Sequence, residues 1–246
     1  MGENIPARRN EFGQPIGHDM SGWQTPPFPP REVMSGRYCR LEPLNAERHA
    51  KELYDAQAED RAGSTWTYLF QGPYANFNEF DDWCRCAQVL PDKVFFAIVD
   101  SSSNRALGFA SYMRIEPAHG VLEIGNIYYA PRLARTRAAT EAMYLFMERA
   151  FALGYRRYEW KCDSGNLPSR AAATRLGFTY EGLFRQAIVN KGRNRDTTWF
   201  AVIDSDWKGG LRDAYLRWLD PANFDAQGVQ KLRLSALTAP LVHAVP

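Results

Sequence analysis

Polar and apolar positions alternate over residues 37–44 with the two-residue period of a strand. Asn45 is a capping residue, and the apolar spacing after it turns helical as far as about residue 57. A loop with Trp66, Tyr68 and Phe70 follows and closes at Gly72-Pro73. A second helix is predicted over 77–90, capped by Asn76 and stopped by Pro91. Residues 94–99 are apolar without interruption and run into the turn cluster 100–104. Strands at 107–115 and 121–129 flank a turn at 117–120, which predicts a three-stranded antiparallel meander. A long helix from about 135 to 153 places Ala139, Met143, Phe146, Met147 and Phe151 at helical spacing, and Gly154 stops it. A strand at 155–162, a short helix from Ser164 to Leu176 and a hairpin of 178–189 with 197–203 complete the pattern.

The order β-α-α-β-β-β-α-β-α-β-β predicts an α/β (α+β) fold, a mixed and mostly antiparallel sheet with helices on its faces. Residues 36–207 carry this pattern. Residues 1–35 are rich in Gly, Pro and aromatics and predict an extended arm, with Trp23 and Phe28 as its anchors. Residues 208–246 predict the rest of a helix begun at Asp204 and ending near Leu219, then a polar tail from Asp220, packed on the core. Neither extension is long enough to fold alone, so each is expected to lie on the core or on a second subunit of a homodimer.

Composition narrows the function. A net charge of +2 on 246 residues speaks against nucleic-acid binding through bulk charge. No apolar run approaches the roughly 18 residues of a membrane span, and the first residues lack the apolar stretch of a signal peptide. The expectation is a cytoplasmic protein. Cys39, Cys84, Cys86 and Cys162, with four scattered histidines, show no metal-ligand spacing, so no metal is expected. No Gly-x-Ser-x-Gly motif supports a serine hydrolase.

Three stretches carry a more specific signal. They are Glu123-Ile-Gly-Asn-Ile-Tyr-Tyr-Ala-Pro131, Arg135-Thr-Arg-Ala-Ala-Thr-Glu-Ala142, and Asn166-Leu-Pro-Ser-Arg-Ala-Ala-Ala-Thr-Arg-Leu-Gly-Phe178 followed by Tyr180-Glu-Gly182. In this order and spacing the chain resembles the GNAT superfamily of acyl-CoA-dependent N-acetyltransferases, and within it the RimJ/RimL type that acetylates ribosomal-protein N-termini. The resemblance implies acetyl-CoA, or another acyl-CoA, as co-substrate, and an amine acceptor. That acceptor is a protein N-terminus, a lysine or a small molecule. The alternative is a GNAT-fold module that binds or senses acyl-CoA without turnover.

A helix N-terminus offers free N–H groups and a positive dipole end to an anion. Here Arg132, Arg135 and Arg137 surround such a start, and no acid intervenes before Glu141. Thr136, Ala138, Ala139 and Thr140 complete the expected pyrophosphate cradle. The family pattern Gln/Arg-x-x-Gly-x-Gly/Ala meets Ala134, Arg137 and Ala139 here, so side chains replace part of the backbone contact. The resemblance also implies that Asn126, Ile127, Tyr128 and Tyr129 supply backbone to the pantetheine arm, and that Asn166 contacts it. Asn166 or Ser169 also reads as a plain helix cap.

For catalysis, the resemblance assigns Ser169 to protonate the departing thiolate. The family's proposed base falls on Ile188, which cannot act. Glu123 becomes the first candidate base, then Glu116 and Asp196, with a water relay equally open. A cross-strand ion pair is the other reading of Glu123. The polar stretch Lys191-Gly-Arg-Asn-Arg-Asp196 reads as a solvated hairpin tip or as a contact for an acidic acceptor. Trp66, Tyr68, Phe70 and Tyr74 read as core or as an acceptor loop.

Overall fold

The computed structural model describes residues 8–243. A small hairpin of β1 (Arg8–Arg9) and β2 (Pro15–Ile16) stands apart from the main sheet. The main sheet uses β3 (Met34–Ser35), β4 (Cys39–Pro43), β5 (Val94–Asp100), β6 (Arg105–Glu116), β7 (Val121–Tyr129), β8 (Arg157–Asp163), β9 (Thr179–Asn190) and β10 (Arg193–Ile203). Its order is β3-β4-β5-β6-β7-β8-β10-β9. Every neighbouring pair is antiparallel except β7 and β8. That pair is parallel because the helix α3 (Arg137–Ala152) carries the chain back between them.

Helices α1 (Ala46–Gln57) and α2 (Phe77–Ala87) cover one face, with Trp66, Phe80, Trp83, Phe95 and Phe109 in aromatic contact beneath them. Helix α3 covers the other, where Phe146 meets Phe96 and Tyr112 edge-on at 5.6 and 5.1 Å. The helix α4 (Leu167–Arg175) lies on that second face, since Trp160 of β8 reaches Ser169 on it. Each helix start is fixed locally. The side chains of Asn45, Asn76, Thr136 and Asn166 accept from the N–H of Arg48, Glu79, Ala139 and Ser169.

Several expectations change. The long helix starts at Arg137, because Arg135 adopts φ 64° and Thr136 is the cap. The turn expected over residues 191–195 shrinks to Lys191 and Gly192, and Arg193–Arg195 join β10 in pairing with β9. In the arm, Trp23 donates from Nε1 to the Ala118 carbonyl at 3.1 Å, but Phe28 is exposed and Pro26 and Pro29 are buried in its place. The helix from Asp204 is interrupted. Its first turn α5 (Asp204–Asp206) and the later α6 (Arg212–Leu219) flank Gly210 at φ 132°. The tail beyond Asp220 is folded, not merely polar. Phe224 and Leu234 are buried, the latter in α7 (Leu234–Thr238). Isolated apolar residues in polar surroundings leave no periodicity to read.

The sheet edge is clasped by one buried carboxylate. Glu141 of α3 accepts from the backbone N–H of Arg37, Tyr38 and Cys39 at 2.8, 2.6 and 2.8 Å. A Cβ at position 36 would run into this carboxyl, so glycine is required there. No helix among the described residues is long and apolar enough to cross a membrane.

Candidate functional site

Parallel pairing of β7 with β8 lasts from Val121↔Arg157 to Ile124↔Trp160 and then ends. The cause is local. Asn126 sits at φ 51°, and the pairing of β6 with β7 shifts register between Phe109 and Ser111. This bulge bends β7 away from β8. Asn126 is held there by donation from Nδ2 to Ser111 Oγ at 2.8 Å. At Gly125 a Cβ would meet Met113 Sδ, so a larger residue there would have to displace the Met113 side chain. The two parted strands leave backbone N–H and C=O groups without ladder partners, ready for an extended ligand.

The gap is a cavity of about 330 Å³, lined by Asn126–Tyr129, by residues 160–163, and by Asn166 and Ser169. It reaches both faces of the sheet. Strand alternation sorts its walls. The pairs Glu123↔Glu159, Trp199↔Lys161 and Thr197↔Asp163 lie on the face of α1 and α2, and Arg195 continues that row two residues before Thr197. Trp160 points to the opposite face, toward α3 and α4.

On the α4 side, the Trp160 indole donates from Nε1 to Ser169 Oγ at 3.0 Å. The hydroxyl thus accepts from Trp160 and retains its own proton for donation. Asn166 Oδ1 accepts from the Ser169 N–H at 3.1 Å, so Asn166 is a cap that also lines the cavity.

At the start of α3, the N–H groups of Arg137 and Ala138 have no partner among the described residues. Arg135, Thr136 and Arg137 line a depression of about 440 Å³ together with Arg175 and Trp218. Burial pulls the Arg175 pKa below the usual arginine value. Its guanidinium donates to Thr140 Oγ1 at 3.0 Å. Arg137 is sandwiched between the rings of Tyr38 and Phe224, 4.7 and 4.8 Å away. Arg132 does not line the depression, because its guanidinium pairs with Glu59. Ala138 and Ala139 are buried in the first turn.

On the α1/α2 side, Glu123 is 5% exposed. Lys161 Nζ and Arg114 Nε lie 3.1 and 3.3 Å from its Oε2 as ion-pair partners. Burial raises the Glu123 pKa above its usual value, against the pull of Lys161 and Arg114. Lys161 also meets Glu159 at 2.6 Å and lies over the Trp199 ring. The ion-pair reading of Glu123 and its place in the cavity wall therefore coexist. Glu116 and Asp196 do not line the cavity. Asp196 accepts from the Gln186 N–H at 2.7 Å, and that bond lowers its pKa.

The aromatic loop divides. Trp66 is core and Tyr74 is half-buried against it, and Trp66 stacks on Tyr128 at 4.6 Å. Tyr68 and Phe70 face the cavity, and the Tyr68 hydroxyl donates to the Gly165 carbonyl at 3.1 Å. Lys161 is a wall residue that sequence reasoning missed, and Arg195 was singled out only as one member of the polar stretch Lys191–Asp196. The charges Glu159, Lys161 and Asp163, alternating with Tyr158, Trp160 and Cys162, were a readable sign of a wet face on a buried strand.

The sequence model of the Acetyltransferase (GNAT) domain matches residues 39–179. A GCN5-related N-acetyltransferase structure from Brucella melitensis is 50% identical. Its match covers 88% of this chain and 98% of that one, with a TM-score of 0.86. A probable GNAT-family acetyltransferase from Chromobacterium violaceum is 40% identical over 79% and 98% of the two chains, with a TM-score of 0.74. The acetyltransferase that modifies the N-terminal serine of ribosomal protein L7/L12 in Salmonella typhimurium shares the fold. It is 22% identical over 70% and 99% of the chains, with a TM-score of 0.61. None of the curated proteins matches the chain.

Proposed function

The chain belongs to the GNAT acetyltransferases, and from that premise we propose that it passes an acetyl group from acetyl-CoA directly to a primary amine in a ternary complex. The observation that carries this reading is the gap between β7 and β8, with a proton donor on one side and a buried carboxylate on the other. The free N–H groups at the start of α3, with Arg135 and Arg175 beside them, suit the CoA phosphates. The parted backbone of Asn126–Tyr129 suits the amide-bearing pantetheine arm.

In this reading the amine arrives from the α1/α2 face. An α-amine has a pKa of about 7.7–8.0, so a base has one proton to remove before attack. Glu123 takes it, and its raised pKa makes it a stronger base than an ordinary carboxylate. The nitrogen attacks the thioester carbonyl and the carbon–sulfur bond breaks. Ser169 donates its proton to the departing sulfur while Trp160 holds its oxygen in place. Two protons leave the nitrogen in all, one offset by the thiol and one lost to solvent.

The test is incubation with acetyl-CoA and a panel of protein N-terminal peptides, lysine peptides and small amines, following thiol release and product mass. Amine-dependent release is expected. Binding of acetyl-CoA with no release on any amine would point instead to a non-catalytic acyl-CoA-binding module.

A further inference from the structure

We propose that Arg195 binds a carboxylate carried by the acceptor, so that the acceptors are amines with a carboxylate close to the reacting nitrogen. This names a substrate class for the transferase reading above and rests on it.

Arg195 is 6% exposed and lines the cavity. Its Nε is buried and has no hydrogen-bond partner among the described residues. Asp163 and Glu123 attract it through space, but among the described residues no carboxylate lies within ion-pair distance of it, and its guanidinium rests over the Phe70 ring at 5.0 Å. A buried cation that no carboxylate meets directly is costly, and buried charges are ordinarily paired at contact. An anion entering the cavity would supply the missing partner.

The neighbouring cations are already committed. Lys191 Nζ donates to the carbonyls of Trp66 and Gly72 at 2.8 and 2.7 Å, and Arg193 donates to that of Thr67 at 2.8 Å. These two residues of the hairpin hold the aromatic loop rather than a ligand. Lys161 is taken up by Glu123 and Glu159. Arg195 remains as the cation in the wall with donors to offer.

Position decides which anion. Arg195 lies two residues before Thr197, the partner of Asp163, and shares the cavity wall with Asp163 and Lys161, on the face opposite α4. The CoA phosphates belong at the start of α3, on the other face. The anion is therefore the acceptor's. A flat guanidinium held against a ring presents its edge to a carboxylate in two-point fashion. Free amino acids and chain ends with an acidic residue both supply this group.

The test uses the whole chain saturated with CoA and calorimetric titration of free amino acids, of tripeptides acidic at the second or third position, and of the carboxamide counterpart of each. At least one carboxylate amine should bind tenfold or more tightly than its carboxamide, about 1.4 kcal/mol. Arg195→Met should erase that preference with CoA affinity unchanged, and Arg195→Lys should keep part of it. Which members bind separates free amino acids from chain ends. A wild-type protein that binds no carboxylate amine, or binds it no better than its carboxamide, overturns the assignment. So does a preference that survives Arg195→Met. Thiol release on the same panel is read separately. No release on any amine removes the transferase reading, whereas equal turnover of acids and carboxamides removes only the role of Arg195.

Discussion

Ser169 and Glu123 flank the gap from opposite faces, and each makes a different demand on experiment. Ser169→Ala should lower kcat by about tenfold or more while leaving the acetyl-CoA KM nearly unchanged, since general-acid help acts on the departing sulfur. An unaltered kcat would remove the serine from the chemistry. Glu123 works as a base only when ionised. Burial raises its pKa above 4.5, so kcat/KM should climb with pH through a limb lying above that value, and Glu123→Gln should abolish the limb. A pH profile with the same limb in the variant would assign it to another group. Ser169 and Asn166 were legible in the sequence because they sit in one short motif on one helix start. Arg195 was legible only as part of the stretch from Lys191 to Asp196, read as a solvated tip or an acidic-acceptor contact, because an unbroken polar run hides the strand alternation that aims this one side chain inward.

At the level of elements, α3 serves both stability and binding. Its Glu141 carboxylate satisfies three backbone donors of the segment leading into β4. Glu141→Ala would leave those donors without partners, and hydrogen bonds to a charged group contribute about 1.5–3 kcal/mol each. A loss of at least about 3 kcal/mol is expected in denaturant unfolding at pH 7. A loss near zero would mean that water replaces the carboxylate. At the other side of the helix start, replacing Arg135 and Arg137 together with Ala should weaken CoA binding more than tenfold, about 1.4 kcal/mol. Unchanged affinity would leave the phosphates to the backbone and Arg175. The caps Asn45, Asn76 and Asn166 could be read in advance because capping is a local event. The bulge at Asn126 and the positive φ of Arg135 could not. Non-glycine residues in that conformation obey no period and are held by tertiary contacts such as Asn126 to Ser111.

At the level of the whole molecule, α1 adds a pH dependence of stability. His49 accepts from the Asn45 N–H at Nδ1 and faces Glu42 with Nε2 at 3.2 Å, which fits a neutral ring. Burial lowers the His49 pKa below 6.5. Burial alone would raise Glu42, but hydrogen bonds from His49 and Arg40 outweigh it and its pKa falls below 4.5. Both groups bind fewer protons folded than unfolded. Their stabilisation is full above pH 6.5, declines first through His49, and declines again below pH 4.5 through Glu42. Unfolding midpoints measured from pH 8 to pH 4 should fall in that sequence, and His49→Asn should remove the first step.

The sandwich of Arg137 between Tyr38 and Phe224 joins three distant parts of the chain: the edge of the sheet, the start of α3 and the folded C-terminal segment. Thermodynamic linkage gives this a reciprocal meaning. If docking of residues 220–241 helps to set the start of α3 for phosphate, then bound CoA must tighten the docking of that segment by the same factor. Removing the segment and adding the donor are then two views of one coupling. Limited proteolysis beyond Leu219 should slow when CoA is added, in proportion to the CoA affinity lost when the segment is cut away.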